Sequence, residues 1–159
     1  MERHVLGFLR ASLAWLGAGV TLGAAMAMAP SLAAYRTAHL HMLLLGFVTM
    51  MIAGVAYHVF PRFAATPLHS AAMARVHFVV ANAGLLFMVT GFVVRVHRYD
   101  LGVLLLAAGG TLSAVGAYLL AFNLWRTLDR AAIPPSRLPL IRPRPVPVVD
   151  SGLHSPQLR

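Results

Sequence analysis

The chain has 159 residues, of which 59% are hydrophobic and 11% are charged, and its mean hydropathy is +0.76. This composition is typical of a membrane protein and excludes an ordinary soluble domain. The net charge of +9 comes from arginine alone, since there is no lysine, and the absence of cysteine excludes disulfides and iron–sulfur clusters.

Four apolar stretches are each long enough to span a bilayer, which takes roughly 20 residues. They cover residues 8–29, 38–60, 76–94 and 101–124, and they leave no room for a separate soluble domain. The short connections between them favour antiparallel neighbours. The sequence therefore predicts an all-α, integral membrane, up-down four-helix bundle over residues 1–128.

The first stretch follows a short polar start, Met1-Glu2-Arg3-His4, and ends near an Ala-Met-Ala sequence. This is also the pattern of a cleavable signal peptide. The apolar run is long for such a peptide, so we expect it to remain as the first helix. Its removal would leave a bundle of three helices.

The arginines cluster on one side of the four stretches if these alternate in direction. Arg36, Arg95 and Arg98 would lie on one side, and nine arginines would lie on the opposite side: Arg3, Arg10, Arg62, Arg75, Arg126, Arg130, Arg137, Arg142 and Arg144. The positive-inside rule then predicts a multi-pass protein of a bacterial-type inner membrane, with both termini cytoplasmic. Because topology accounts for the basic excess, we expect the lipid bilayer and no nucleic acid as a partner.

Two histidines, His39 and His41, open the second stretch. Imidazole inside a membrane helix is costly, and it is the commonest protein ligand for transition metals and haem iron. Residues two apart point to nearly opposite faces, because each residue turns the helix by about 100°. The pair could therefore hold one haem iron on each side of one helix. The alternative is a pair of interfacial histidines bonded to water or loop carbonyls.

A second possible haem site consists of His58, at the inner end of the second stretch, and His77, at the inner start of the third. Histidines at similar depth on adjacent antiparallel helices can clamp a haem between them. The helix between His39 and His58 is roughly 28 Å long at 1.5 Å per residue, so a haem near each face would conduct electrons across the membrane. The alternative for His58 and His77 is a buried polar pair, or bonding to backbone carbonyls.

Three further candidates lie in the turn after the third stretch, near the depth of His39 and His41. Arg95 and Arg98 could bind haem propionates, since guanidinium matches carboxylate geometry, or could extend to the interface. His97 could be a sixth iron ligand or a solvated loop histidine. Without cysteine, covalent c-type attachment is excluded, so any haem would be held by histidine and by non-covalent packing, and we expect haem b.

From Pro134 onward the chain is rich in proline and arginine. Residues 129–159 are therefore predicted to form a disordered cytoplasmic tail near anionic lipid. A segment that docks a partner is the alternative, because proline-rich tails can be recognition elements.

The motif His39-Leu40-His41, followed after sixteen residues by His58-Val59-Phe60-Pro61, resembles the tenth helix of haem–copper oxidase subunit I. The stretch at 75–78 is similar to the opening of the eleventh helix, residues 95–100 to the arginine motif that follows it, and residues 116–127 to the end of the twelfth. The resemblance covers about residues 36–128 of this chain, which correspond to the last helices of that subunit.

The resemblance implies that His39 binds a high-spin haem and His41 a low-spin haem, on opposite sides of the second stretch. It implies propionate binding by Arg95 and Arg98, and it gives no ligand role to the positions of His58 and His77. The copper histidines and the second low-spin ligand of that family come from earlier helices, which this chain does not have. Its arginines are also separated by Val96 and His97.

The resemblance therefore implies a haem-binding module without an oxygen-reducing centre. The sequence predicts a b-type cytochrome that carries electrons, with two haems per chain, a homodimer, and a quinone or another cytochrome as redox partner. One alternative is a haem enzyme with an open coordination position that oxidises quinol or reduces a small gas. The other is a non-haem accessory subunit of a respiratory complex.

Overall fold

The computed structural model describes residues 2–132. Its four long helices are α1 (Arg3–Met28), α2 (Pro30–Phe63), α3 (Ala71–Arg95) and α4 (Tyr99–Ala131). Each is long and apolar enough to cross a membrane, so the predicted all-α four-helix bundle is confirmed. The predicted tail lies outside the described residues from residue 133 onward.

Every helix is longer than the apolar stretch that predicted it. A hydropathy window ends at the first polar residues, whereas backbone hydrogen bonding continues through them. In the last turns of α4, for example, Arg126 and Asp129 form an ion pair at 3.6 Å. The start of α3 is set by Ser70, whose hydroxyl accepts a hydrogen bond from the Met73 N–H at 3.1 Å and so caps the helix.

Successive helices run antiparallel, which gives the bundle two ends. The end that holds Arg3, Phe63, Ala71 and Ala131 is called the terminal end here, and the end that holds residues 28–36 and 95–99 is called the far end. Near the terminal end, α1 packs on α2 where Gly54 meets the Phe8 side chain. The core is concentrated at this end.

The seam between α3 and α4 is a close backbone contact. A Cβ atom at Gly109 would lie 2.6 Å from the Met88 amide nitrogen and 2.7 Å from the Gly84 carbonyl oxygen. The next residue, Gly110, faces open space within the described chain. Small residues at such a seam let two membrane helices approach until their backbones touch.

The winding of α2 changes directly after His41. A 3₁₀ turn (Pro30–Tyr35) and a short α-helical piece (Arg36–His41) lead into a π-helical segment at Met42–Thr49, before α-helix resumes at Met50–Phe63. The Thr49 hydroxyl donates to the Leu44 carbonyl at 2.8 Å within the π segment. A π segment rotates the residues on either side relative to each other, and such segments are frequent at functional sites.

The loop between α2 and α3 is tied to α4 by two fully buried side chains. Asn123 accepts a hydrogen bond from the Ser70 N–H at 3.0 Å and donates one to the Ser70 carbonyl at 2.9 Å. Thr127 accepts from the His69 N–H at 3.0 Å. These bonds satisfy backbone groups of two partly buried residues, and they fix the start of α3 against the end of α4.

Candidate functional site

His39 lies on the side of α2 that faces α1. Its Nδ1 is 2.8 Å from the carbonyl oxygen of Gly19. The ring rests against Gly23, where a Cβ atom would be only 2.8 Å from the His39 Cε1. Gly23 of α1 therefore makes the space in which this imidazole sits.

His41 lies on the side of α2 that faces α3. Its Nδ1 is 2.8 Å from the carbonyl oxygen of Thr37, one turn earlier in the same helix. Its ring packs against Phe92, with 4.7 Å between ring centres. The two histidines of the motif thus contact different neighbouring helices.

The hydrogen bonds of the two rings determine which nitrogen carries the proton. A carbonyl oxygen can only accept, so Nδ1 donates in both His39 and His41, and in the neutral ring the lone pair is on Nε2. Within residues 2–132, neither Nε2 forms a hydrogen bond and neither is fully enclosed. This is the arrangement of metal-binding histidines, in which a carbonyl holds one nitrogen and the other binds the metal.

Arg95 lies beside His41, with one aromatic ring between them. Its guanidinium carbon is 5.9 Å from the centre of the Phe92 ring, the same ring that packs on His41. Arg98 is exposed at the position just before α4. A positive charge therefore lies close to one of the two candidate ligands.

His97 is exposed, and its Nε2 is 3.0 Å from the Tyr35 hydroxyl. This contact joins the turn after α3 to the start of α2 at the far end. It does not bring His97 onto His39 or His41. To serve as a sixth ligand through Nε2, His97 would first have to release Tyr35.

The structure places His58 and His77 in different surroundings. The His58 Nδ1 is 3.0 Å from the guanidinium of Arg62, and because arginine only donates, the proton of the neutral His58 ring is on Nε2. His58 lines a cavity with Pro61 and Arg62, whereas His77 lines a different cavity. The haem clamp that the two histidines could form stays a prediction.

His77 is buried at the terminal end, with 3% of its surface exposed. Its Nδ1 is 3.0 Å from the Tyr57 hydroxyl, and its ring centre is 4.8 Å from that of Phe8. It lines a cavity of about 300 Å³ between α2, α3 and α4, which we call the central cleft. The central cleft is lined by Phe8, Leu45, Thr49, Met50, Ala53, His77, Ala81, Leu85, Ser113, Ala117, Leu120, Ala121 and Leu124.

The sequence did not predict the central cleft. The clue it offered is a set of alanines, Ala53, Ala81, Ala117 and Ala121, one or two on each of the three helices. An alanine on a membrane helix can either let helices close up or leave a space between them. Only the packed structure distinguishes these outcomes.

Among residues 2–132, no group of three or more histidine, cysteine, aspartate or glutamate side chains could hold a metal ion. Haem iron differs from a bare ion, because the macrocycle supplies four ligands and the protein adds one or two. Single histidines such as His39 and His41 are therefore sufficient donors for haem.

The function of the chain therefore has to be inferred from the side chains and cavities described above. No model of a known protein family matches the chain, and no curated protein matches it in sequence.

Proposed function

We propose that the protein is a membrane b-type cytochrome that carries electrons, with His39 and His41 as axial ligands to haem iron. The observation that carries the proposal is the bonding of the two rings. Each Nδ1 is 2.8 Å from a helix carbonyl, which leaves the Nε2 lone pair free in both. An axial ligand requires such an open nitrogen, with the other ring nitrogen held by a hydrogen bond.

The surroundings of each histidine fit an apolar, planar group. The absence of a side chain at Gly23 leaves room for the His39 ring, and Phe92 offers a flat apolar face beside His41. When bound, haem supplies reversible one-electron chemistry, and the protein tunes it through the axial ligand and nearby charge. Arg95, beside Phe92, is the cation best placed to pair with a propionate carboxylate near His41.

Backbone carbonyls, the apolar helices and a second copy of the chain each have a role in this proposal. The carbonyls of Gly19 and Thr37 fix the orientation and tautomer of the imidazoles. The apolar helices exclude water from the ligands, which makes charge interactions stronger. A second copy of the chain would provide further groups on the faces of α2 that α1 and α3 leave open, which is why we include a homodimer in the proposal.

Membrane orientation is part of the same proposal. The excess of arginine at the terminal end supports cytoplasmic termini, so that His39, His41 and Arg95 would lie near the outer face of a bacterial-type inner membrane.

The test is a pyridine haemochrome spectrum of the full chain, expressed with added haem precursor and purified in detergent. We expect the spectrum of haem b, with two haems per chain by quantitation against protein. A colourless preparation would contradict the proposal and favour an accessory subunit. Carbon monoxide binding to the reduced protein would redirect the proposal from a carrier to an enzyme with an open coordination position.

A further inference from the structure

The central cleft lies where the helices of the bundle leave a space between them. α3 and α4 touch along their backbones, but α2 and α4 contact each other only weakly, and the cleft opens between them. Its lining extends from His77 to Leu85 on α3, roughly 12 Å along the helix at 1.5 Å per residue. With the helices in a bilayer, this opening faces the hydrocarbon region.

One buried polar atom points to a ligand in this cleft. Three polar side chains line it, and two of them donate elsewhere: Thr49 to the Leu44 carbonyl and Ser113 to the Met88 sulfur at 3.4 Å. The third, His77, uses Nδ1 for Tyr57, and its Nε2 forms no hydrogen bond within residues 2–132. That nitrogen is not sealed in protein either, although the residue is only 3% exposed, so it opens onto the cleft.

Water is a poor occupant of this space. A buried water needs two to four polar partners, and apolar cavities stay dry and take apolar molecules instead. The polar groups here are the Nε2 of His77 and the hydroxyls of Thr49 and Ser113, which already donate elsewhere, and the other ten lining residues are apolar. The cleft therefore suits a molecule that is mostly apolar and carries an oxygen where it meets His77.

The size of the cleft limits that molecule further. A cavity of about 150 Å³ holds one benzene ring, so about 300 Å³ holds a single ring with a short chain. The four-pyrrole macrocycle of haem would not fit without separating the helices. The small side chains of Ala53, Ala81, Ala117 and Ala121 line this space.

From these observations we propose that the central cleft binds the headgroup of a membrane quinone or quinol, with one ring oxygen hydrogen-bonded to the Nε2 of His77. The isoprenoid chain then runs past Leu45 and Leu85 toward the opening into lipid. The role of this molecule as redox partner of the cytochrome rests on the proposed function, whereas the binding itself does not.

The contact between Tyr57 and His77 suits both oxidation states of such a ligand. When the Tyr57 hydroxyl donates to Nδ1, the proton of His77 is on Nε2, which can donate to a quinone carbonyl. When Nδ1 donates to the Tyr57 oxygen, Nε2 accepts from a quinol hydroxyl. A rotation of one hydroxyl and a change of tautomer therefore match the pair to either form.

Binding is tested by calorimetric titration of decylubiquinone into the detergent-solubilised full chain, against a micelle blank. We expect saturable binding that Ala117→Phe abolishes, because the new ring fills the cleft without touching the hydrogen bond between Tyr57 and His77. The matched control is Val115→Phe, which adds the same ring about 200° around α4 on an exposed face and should bind like the parent.

The hydrogen bond is tested separately with His77→Phe, which keeps a ring of similar shape and should weaken binding by about tenfold. Decylbenzene, which has the chain and ring but no oxygen, should fail to compete. Wild-type affinity in Ala117→Phe, or equal competition by decylbenzene, overturns the proposal, the latter because it would make the cleft a site for any hydrocarbon.

Haem content measured on the same samples separates this inference from the proposed function. A haem-containing chain that does not bind decylubiquinone overturns the quinone site and leaves the cytochrome intact. A haem-free chain that binds it with the expected variant pattern overturns the cytochrome and leaves the quinone site intact.

Discussion

The two ends of the bundle hold their histidines in different ways. At the far end, His39 and His41 are each held by a backbone carbonyl, and the second ring nitrogen has no partner among the described residues. At the terminal end, the ring of His77 contacts the Tyr57 hydroxyl and the ring of His58 contacts the Arg62 guanidinium. The same end contains the two buried side-chain nitrogens that have no hydrogen bond within residues 2–132, the Nε2 of His4 and the Nδ1 of His69. An unpaired nitrogen alone therefore does not identify a binding group, and its surroundings have to be compared as well.

His77 differs from the other terminal-end histidines in what surrounds its ring. It bonds Tyr57 through Nδ1 and lines the central cleft, which has room for a ligand. His58 also has one ring nitrogen without a partner among the described residues, but its Nδ1 accepts from Arg62, an exposed residue of its own helix. The space beside the ring, in addition to the unpaired nitrogen, makes His77 the candidate binding group at this end.

The largest expected effect comes from removing the far-end ligands. His39→Ala and His41→Ala should each lose one of two haems per chain, and the double variant should lose both, because each ring supplies an axial nitrogen. The control is Leu40→Ala, which truncates the exposed residue between them and should keep both haems. Full haem content in the double variant, measured by haemochrome per chain, would move the ligands to other residues.

A loss of stability without loss of haem is expected at the terminal end. Asn123→Ala removes two hydrogen bonds and leaves the partly buried N–H and carbonyl of Ser70 with weaker partners, which should cost about 3 kcal/mol. The measurement is the midpoint of unfolding in a titration with sodium dodecyl sulfate, followed by circular dichroism. The control is Thr111→Ala, since Thr111 is exposed and bonds only its own helix, so its midpoint should move little. An equal shift in both would show that the Asn123 bonds do not stabilise this end.

The sequence predicted the helices well because a membrane-spanning helix can be identified from the length of an apolar run along the chain. A run of apolar residues of sufficient length must become a helix, and hydropathy alone finds it. The placement of His39 and His41 on different sides of α2 also follows from helical geometry, since two residues turn the chain by about 200°. Both inferences use only local rules.

What the sequence could not predict depends on contacts between helices. Gly109 and Gly110 are adjacent and identical, but one touches the backbone of α3 and the other faces open space. The π segment at Met42–Thr49 has no compositional mark that separates it from ordinary helix. The different surroundings of His58 and His77 likewise depend on how α2 and α3 rotate against each other, which depth alone does not determine.

A smaller effect is expected from the charge beside His41. Arg95→Gln should lower the midpoint potential of one haem by about 40 mV, equivalent to about 1 kcal/mol. The reason is that a nearby cation stabilises the reduced haem relative to the oxidised haem, and the substitution removes that cation. Potentiometric titration of both haems measures the change. Arg75→Gln removes the same charge from the opposite end of α3, roughly 30 Å away along the helix, and should leave both potentials unchanged. Equal shifts in the two variants would show a general charge effect and no local pairing.

The smallest expected effect is at His58. His58→Ala removes a ring whose hydrogen-bond partners are an exposed arginine of its own helix, so stability should change by less than about 0.5 kcal/mol and haem content should stay the same. The informative comparison is with His77→Ala, which should also keep both haems but lose decylubiquinone. Loss of the same haem in both variants would instead mean that α2 and α3 rotate to join the two imidazoles when haem binds. That result would support the haem clamp at the terminal end and give the molecule a path for electrons from one face of the membrane to the other.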